Sequence, residues 1–231
     1  MNLFRRPKTK LARADSGDQR VAQMIALHGV GAVIDVGANV GQYATRLRAA
    51  GVTVPIVSIE PGAETHATLV EAAAADPDWT IAPRMAISDA RGTAVLNVNA
   101  RSDMNSLKPM DEASLTVFPK AKPVTTEQVA TERLDDILDD LVGPDSGPVF
   151  LKIDTQGNEA EVIRGAERVL GRIIAMQLEM SLKPLYQGEP SYLALLNELD
   201  RLGYDLHLVL PGYSSRTLGR QIQFDGLFVR R

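Results

Sequence analysis

Short runs rich in β-branched residues alternate along the chain with longer stretches in which apolar residues recur every three or four positions. That alternation predicts a mostly parallel sheet covered by helices on both faces. Seven runs read as main strands: Ala32–Val36, Pro55–Glu60, Thr80–Ser88, Val149–Asp154, Ile173–Met180, Tyr204–Leu210 and Phe224–Arg230, with Thr93–Asn99 as an additional strand. The last two main strands have no helical pattern between them, so they are expected to pair antiparallel. A short helix is expected over Gly17–His28, and another over Gly41–Ala50 that stops at Gly51, a residue free to take positive φ. After Asn158, read as an N-cap with Glu161 at the acidic third position, Val162, Ala166, Val169 and Leu170 hold helical spacing up to Gly171. Leu195, Leu199 and Leu202 form a stripe in Pro190–Leu202, closed by Gly203. Arg101–Pro123 keeps no period and carries Pro109, Pro119 and Pro123, which predicts a loop or lid, and Gly143–Pro148 reads as a turn.

Composition narrows this picture. The 231 residues fit one α/β domain, expected over 17–231, and no apolar run approaches the roughly 20 residues of a membrane helix. With no cysteine, disulfide frameworks, thiolate metal sites and thiol nucleophiles are excluded. A formal net charge of −4 offers no general attraction to nucleic acid, so a small, neutral or metal-paired substrate suits the chain better. Residues 1–16 read as a basic leader, with Arg5, Arg6, Lys8, Lys10 and Arg13 but no apolar segment of the secretory type. The expectation is therefore a cytoplasmic protein without a membrane span, with a homodimer left open.

The first strand runs into Asp35-Val36-Gly37-Ala38-Asn39-Val40-Gly41 and then a helix. Small residues there let backbone approach a ligand at the carboxyl end of a parallel strand. The spacing Gly-x-x-x-Gly lacks the Gly-x-Gly-x-x-Gly pattern that wraps a dinucleotide pyrophosphate, which favours a cofactor without phosphate. Asp35 at the strand end suits an ammonium and repels phosphate. Glu60, closing the next strand before Pro61, is placed to accept hydrogen bonds from two ribose hydroxyls. Together these describe a nucleoside joined to an amino acid, with Gly37, Ala38, Asn39 and Gly41 as the surrounding loop. Ser88 and Asp89, at the end of the third strand, are candidates for an adenine contact, with a polar turn before Gly92 as the plainer alternative.

With these pieces placed, the chain resembles the FkbM family of methyltransferases. The resemblance rests on Val33–Gly41, Ser58-Ile59-Glu60-Pro61, Ala86-Ile87-Ser88-Asp89, Leu151-Lys152-Ile153-Asp154-Thr155-Gln156-Gly157-Asn158-Glu159 and Phe224-Asp225-Gly226-Leu227-Phe228-Val229-Arg230. It spans Val33 to the C-terminus, and the last two blocks are its family-specific part. It implies a class I methyltransferase (Rossmann-like) fold, with a seven-stranded mostly parallel sheet and an antiparallel last strand. It also implies S-adenosylmethionine as cofactor and methylation of a hydroxyl on a sugar, glycosylated metabolite or polysaccharide precursor. Family members commonly carry Glu where this chain has Gln156, so that position is given no charged role.

The second half is where the reaction is expected. Lys152 and Asp154 share a strand face by period two, and Asp154 falls at the strand mouth, against both cofactor and acceptor. Glu179 ends the following strand, beside Asp154 if the sheet is ordered as the resemblance implies. Asp154 and Glu179 can hold a hydroxyl, act as general base, or bind Mg²⁺ through oxygen; Lys152 joins them as a candidate catalytic residue. Candidate acceptor contacts are Asp103, Asn105 and Ser106 in the polar loop, Glu159 in a first helical turn, Tyr186, and Asp225 in the closing block. Two other readings stand beside the methyltransferase: a nicotinamide-dependent oxidoreductase, and a non-catalytic nucleoside-binding protein.

Overall fold

The computed structural model describes residues 16–118, 121–216 and 218–231. In chain order the elements are α1 (Ser16–Leu27), β1 (Ala32–Val36), α2 (Gln42–Ala49), β2 (Ile56–Ile59), α3 (Ala63–Ala73), β3 (Trp79–Ile81), β4 (Ala86–Ile87) and β5 (Gly92–Asn99). Next come α4 (Glu112–Val117), β6 (Pro123–Glu132), α5 (Leu134–Val142), β7 (Val149–Ile153), α6 (Glu159–Gly165), β8 (Ile173–Ser181) and α7 (Tyr192–Arg201). The chain ends with β9 (Tyr204–Pro211), β10 (Ser214–Ser215), β11 (Arg220–Gln221) and β12 (Gln223–Arg230).

Seven strands form one sheet in the order β3-β2-β1-β7-β8-β12-β9. All neighbours run parallel except around β12, which is antiparallel to both β8 and β9. Strand β1 is fully buried along its length, and period two divides its side chains between two cores. Val33 joins Ile56, Phe150 and Leu227 on the face covered by α1, α2 and α3. Ile34 and Val36 join Ile59, Leu151 and Met176 on the face covered by α5, α6 and α7. The chain steps outward from β1 to β2 on one side and returns as β7 on the other. The strand order therefore reverses at β1, where open α/β sheets bind ligands beyond the carboxyl ends of their strands.

The stretch Thr80–Ser88 is not one strand. Pro83 has no N–H to continue the ladder, so β3 ends at Ile81 and the chain crosses to β4, in a second sheet ordered β4-β6-β5. The additional strand expected at Thr93–Asn99 is β5, and it lies in this second sheet. Its partner β6 begins at Pro123, where a loop was expected to end. Of its ten residues only Val129 and Thr131 are buried, so it has almost no apolar alternation to read.

The loop expected over Arg101–Pro123 contains a 3-10 turn at Ser102–Met104, the helix α4, and isolated bridges Asn97 to Ser106 and Met110 to Tyr186. The helix expected to run to Gly171 stops at Gly165, and a 3-10 turn follows at Glu167–Val169. A Cβ on Gly165 would lie 2.1 Å from the Ser88 carbonyl oxygen, so α6 packs on the β4 turn through bare backbone. Asn158 stands at the N-cap position without capping; its side-chain amide donates instead to the Ile87 carbonyl at 3.2 Å. The basic leader lies outside the described residues apart from Ser16, which opens α1.

Candidate active site

The carboxyl ends of β1, β2 and β7 open onto a cavity of about 280 Å³. Its first wall is the turn after β1. Gly37 and Ala38 donate backbone N–H groups to the Ile59 carbonyl at 3.0 and 3.1 Å, while Asp154 N donates to the Val36 carbonyl at 3.0 Å, so all three strand ends are tied together. Asn39 sits at φ 50°, a left-handed conformation unusual for a side-chain-bearing residue and concentrated at functional loops. Its N–H donates to Glu60 Oε2 at 2.9 Å. Glu60 Oε1 accepts from Gly62 N at 2.9 Å and from the Thr65 hydroxyl at 2.7 Å. Burial pushes the Glu60 carboxyl above its ordinary range, against the pull of these three donors. Glu60 thus organises the loop and still faces the cavity, next to Pro61.

Asp35 does not reach the cavity wall. It is fully buried, and its register partner on β7 is Lys152, whose ammonium lies 3.1 Å from Asp35 Oδ1. Lys152 also lies 3.5 Å from Asp154 Oδ2, donates to the Gly37 carbonyl at 3.2 Å and sits 5.3 Å from the centre of the Tyr43 ring. Burial opposes the charged lysine, but Asp35 first and Asp154 second hold its pKa above the ordinary value. A cation is therefore fixed beneath the loop. Gly41, at φ 86°, also stands off the wall: a Cβ there would meet the Trp79 ring at 2.6 Å.

The opposite wall is built by β7, β8 and β12. Asp154, Glu179 and Asp225 all face the cavity, and Asp225 is the register partner of Glu179. Gln156 joins the first two, its side-chain amide donating to Asp154 Oδ1 at 2.9 Å and to Glu179 Oε2 at 2.6 Å. Burial, then Asp154, then Asp225 push the Glu179 carboxyl well above its usual range. Burial and Asp154 likewise lift Asp225 to about 6, opposed by a hydrogen bond from Gln177. The expectation that Asp154 and Glu179 offer a Mg²⁺ site is not supported: among the described residues no group of three or more His, Asp or Glu side chains is arranged to hold a metal ion. The gap between the two carboxylates holds an amide donor.

Asp103, Asn105 and Ser106 line the cavity from the segment above it, and Ser102 donates to Asn39 Oδ1 at 3.1 Å. Four other candidates lie off the wall. Ser88 is part-buried at the β4 turn, and Asp89 pairs with Arg164 at 3.1 Å. Tyr186 is buried beneath Gln156 and donates to its Oε1 at 2.8 Å. Glu159 is buried and accepts from Thr155 N at 3.0 Å and Gly157 N at 3.0 Å, staying inside its own loop; burial lifts its pKa to about 7.

Sequence reading missed Tyr43, Arg46 and Gln177 on the wall. Two signals pointed there. Tyr43 and Arg46 sit three apart in the first turns after the glycine loop, and Gln177 shares a strand face with Glu179 by period two. Tyr43 donates its hydroxyl to Gln177 Oε1 at 2.7 Å, closing that corner.

This sheet order, with one antiparallel strand near its edge and a cavity at the β1 turn, is that of the class I methyltransferase fold. The chain belongs to the FkbM methyltransferase family: the methyltransferase FkbM domain model matches residues 35–206. Among solved structures, an O-methyltransferase from Bacillus cereus in complex with SAH is similar at a TM-score of 0.51 and 10% identity, over 96% of this chain and 84% of that one. A putative O-methyltransferase from Klebsiella pneumoniae is similar at 0.50 and 11%, over 94% and 81%. The methyltransferase FkbM from Methylobacillus flagellatus KT shares 18% identity at a TM-score of 0.49, over 85% of this chain but only 42% of that chain. No curated protein matches the sequence. Family membership displaces the oxidoreductase reading.

Proposed function

We propose that the protein is an S-adenosylmethionine-dependent O-methyltransferase acting on a hydroxyl of a sugar, glycosylated metabolite or polysaccharide precursor. One observation carries this reading: a single cavity joins the Gly37–Asn39 turn and Glu60 to the carboxylates of Asp154 and Glu179. The first pair suits a nucleoside with an amino-acid tail, and the second suits a hydroxyl that must lose its proton. The residues present fit that cofactor: the turn after β1 brings backbone close, Glu60 faces the cavity with one acceptor site left beside its three donors, and Asp154, Glu179 and Asp225 on the same wall disfavour a phosphate.

When bound, S-adenosylmethionine supplies a methyl group on a sulfonium, and transfer to oxygen makes an O–C bond as the S–C bond breaks. The chain's own part is alignment and proton removal. Asp154, held by Lys152 and Gln156 and with 36% of its side chain exposed, accepts the hydroxyl proton as the oxygen becomes nucleophilic. Glu179, with its raised pKa, holds a second hydrogen bond to the acceptor. Asn105, Ser106 and Asp103 offer the short polar contacts that orient a polyhydroxylated ring.

The test is production of S-adenosylhomocysteine from S-adenosylmethionine across a panel of simple glycosides and oligosaccharides, with the product analysed for the methylated atom. The expected result is acceptor-dependent turnover onto oxygen, reduced about 100-fold or more in kcat by Asp154→Asn. Methylation of nitrogen or carbon instead, or turnover indifferent to Asp154→Asn, contradicts the proposal.

A further inference from the structure

Gln156 stands at a junction of which the reaction scheme above uses only the contact to Asp154. Its backbone is left-handed, at φ 54°, the only described side-chain-bearing residue besides Asn39 with positive φ. That turn aims the side chain back along β7 between two strand ends. Ionised carboxylates accept hydrogen bonds and cannot donate them, so the amide nitrogen must face Asp154 and Glu179, using one hydrogen for each. The amide oxygen is then left for Tyr186, whose hydroxyl donates to it at 2.8 Å. Tyr186 is itself buried and packed on Gly157, where a Cβ would come within 2.8 Å of it. The backbone carbonyl of Gln156 accepts from the Ser106 hydroxyl at 2.6 Å, which ties the cavity's overhanging segment to the same residue. Every polar group of this side chain is therefore assigned, and its orientation has one solution.

We infer that Gln156 is a positioning residue: its amide holds the Asp154 and Glu179 carboxylates together as a pair of acceptors for the incoming hydroxyl, and it fills the gap that a divalent cation bridging them would occupy. This rests on reading that end of the cavity as the acceptor end. Repulsion between two neighbouring carboxylates is eased by a donor, a proton or a cation. Lys152 lies 3.5 Å from Asp154 and Gln223 donates to Glu179 Oε2 at 2.7 Å, while the Gln156 amide reaches both acids. A glutamine supplies the donor without charge and keeps both carboxylates available for proton transfer. A glutamate of the same shape would supply neither hydrogen and would add a negative group to Asp154, Glu179 and Asp225, completing an oxygen-rich set suited to a hard cation.

The experiment compares Mn²⁺ binding to the full chain by electron paramagnetic resonance in the wild type, Gln156→Glu and Gln156→Ala. Kinetic constants are measured alongside. Gln156→Glu is expected to bind Mn²⁺ at least about tenfold more tightly than the wild type. Gln156→Ala opens the same gap without adding charge and is expected to exceed the wild type as well, which keeps the test valid if the glutamate variant does not fold. Both variants are expected to lose about tenfold or more in kcat, with KM for S-adenosylmethionine changed much less. Equal Mn²⁺ affinity in all three proteins, whether tight or absent, overturns the inference. So does a kcat in either variant equal to that of the wild type. Failure of the methyl-transfer reading shows differently, as a wild type that does not bind S-adenosylhomocysteine, and the Mn²⁺ comparison stands apart from that outcome.

Discussion

At Gly37 the turn after β1 leaves no room for a side chain. Its φ is 77°, and a Cβ there would lie 1.8 Å from the Asp154 carbonyl oxygen, so two strand ends meet through bare backbone. Gly37→Ala must strain the backbone and push β7 away from β1. The expected cost is about 3 kcal/mol of stability, read as a lowered midpoint in urea unfolding; an unchanged midpoint contradicts this account of the turn. The need for a small residue here was legible from the sequence, because a strand followed by Asp35, Gly37 and a helix has few other uses. The fate of Asp35 was not. An acid at a strand end reads as a ligand contact, but its partner Lys152 lies 117 residues away in sequence and becomes its neighbour only through the β1–β7 register.

Most elements with strong apolar patterns were legible. Strands β1, β2, β7, β8 and β12 with α2 and α7 bury a recognisable face and match their expected positions closely, β9 matches although only Tyr204 is buried, and Thr80–Ser88 is divided between two sheets. By contrast β6 exposes most of its residues, and α5 went unread although Leu134, Ile137, Leu138 and Leu141 hold helical spacing along one face. Helix α6 shows why local pattern fell short. Its capping signature, Asn158 and Glu161, is drawn into tertiary contacts, Asn158 to Ile87 and Glu161 to Lys108, with Glu161 also paired to Arg164 along the helix. Glu159 instead ties the helix start to Thr155 and Gly157 from a buried position, and burial lifts its pKa to about 7 from an ordinary 4.5.

An acid whose pKa is raised by folding binds more protons in the native state than in the unfolded chain. Its contribution to stability is therefore greatest below about pH 4.5 and is lost as pH rises toward 7. Glu159→Gln removes that titration. The difference in unfolding free energy between wild type and variant is expected to move in the variant's favour across this window, and a difference independent of pH rules the assignment out.

At the scale of the whole molecule, the sheet order places the reversal at β1, and the second sheet with residues 102–107 covers one side of the opening. The class of fold and the Gly37–Glu60 end of the cavity were readable because both are carried by local motifs on successive strands. The end at Asp154 and Glu179 was only partly readable. Its groups come from β7, β8, β12 and the overhanging segment, and their convergence depends on β12 inserting between β8 and β9. No helix among the described residues is long and apolar enough to cross a membrane.

The central claim is that the cavity at the β1 turn takes a nucleoside bearing an amino-acid tail. Isothermal calorimetry with S-adenosylhomocysteine, and separately with NAD, tests it most directly. The account predicts one site for S-adenosylhomocysteine, weakened about tenfold or more by Glu60→Ala, and no comparable binding of NAD. Absent binding of S-adenosylhomocysteine to the folded wild type, or equal binding of NAD, would contradict it.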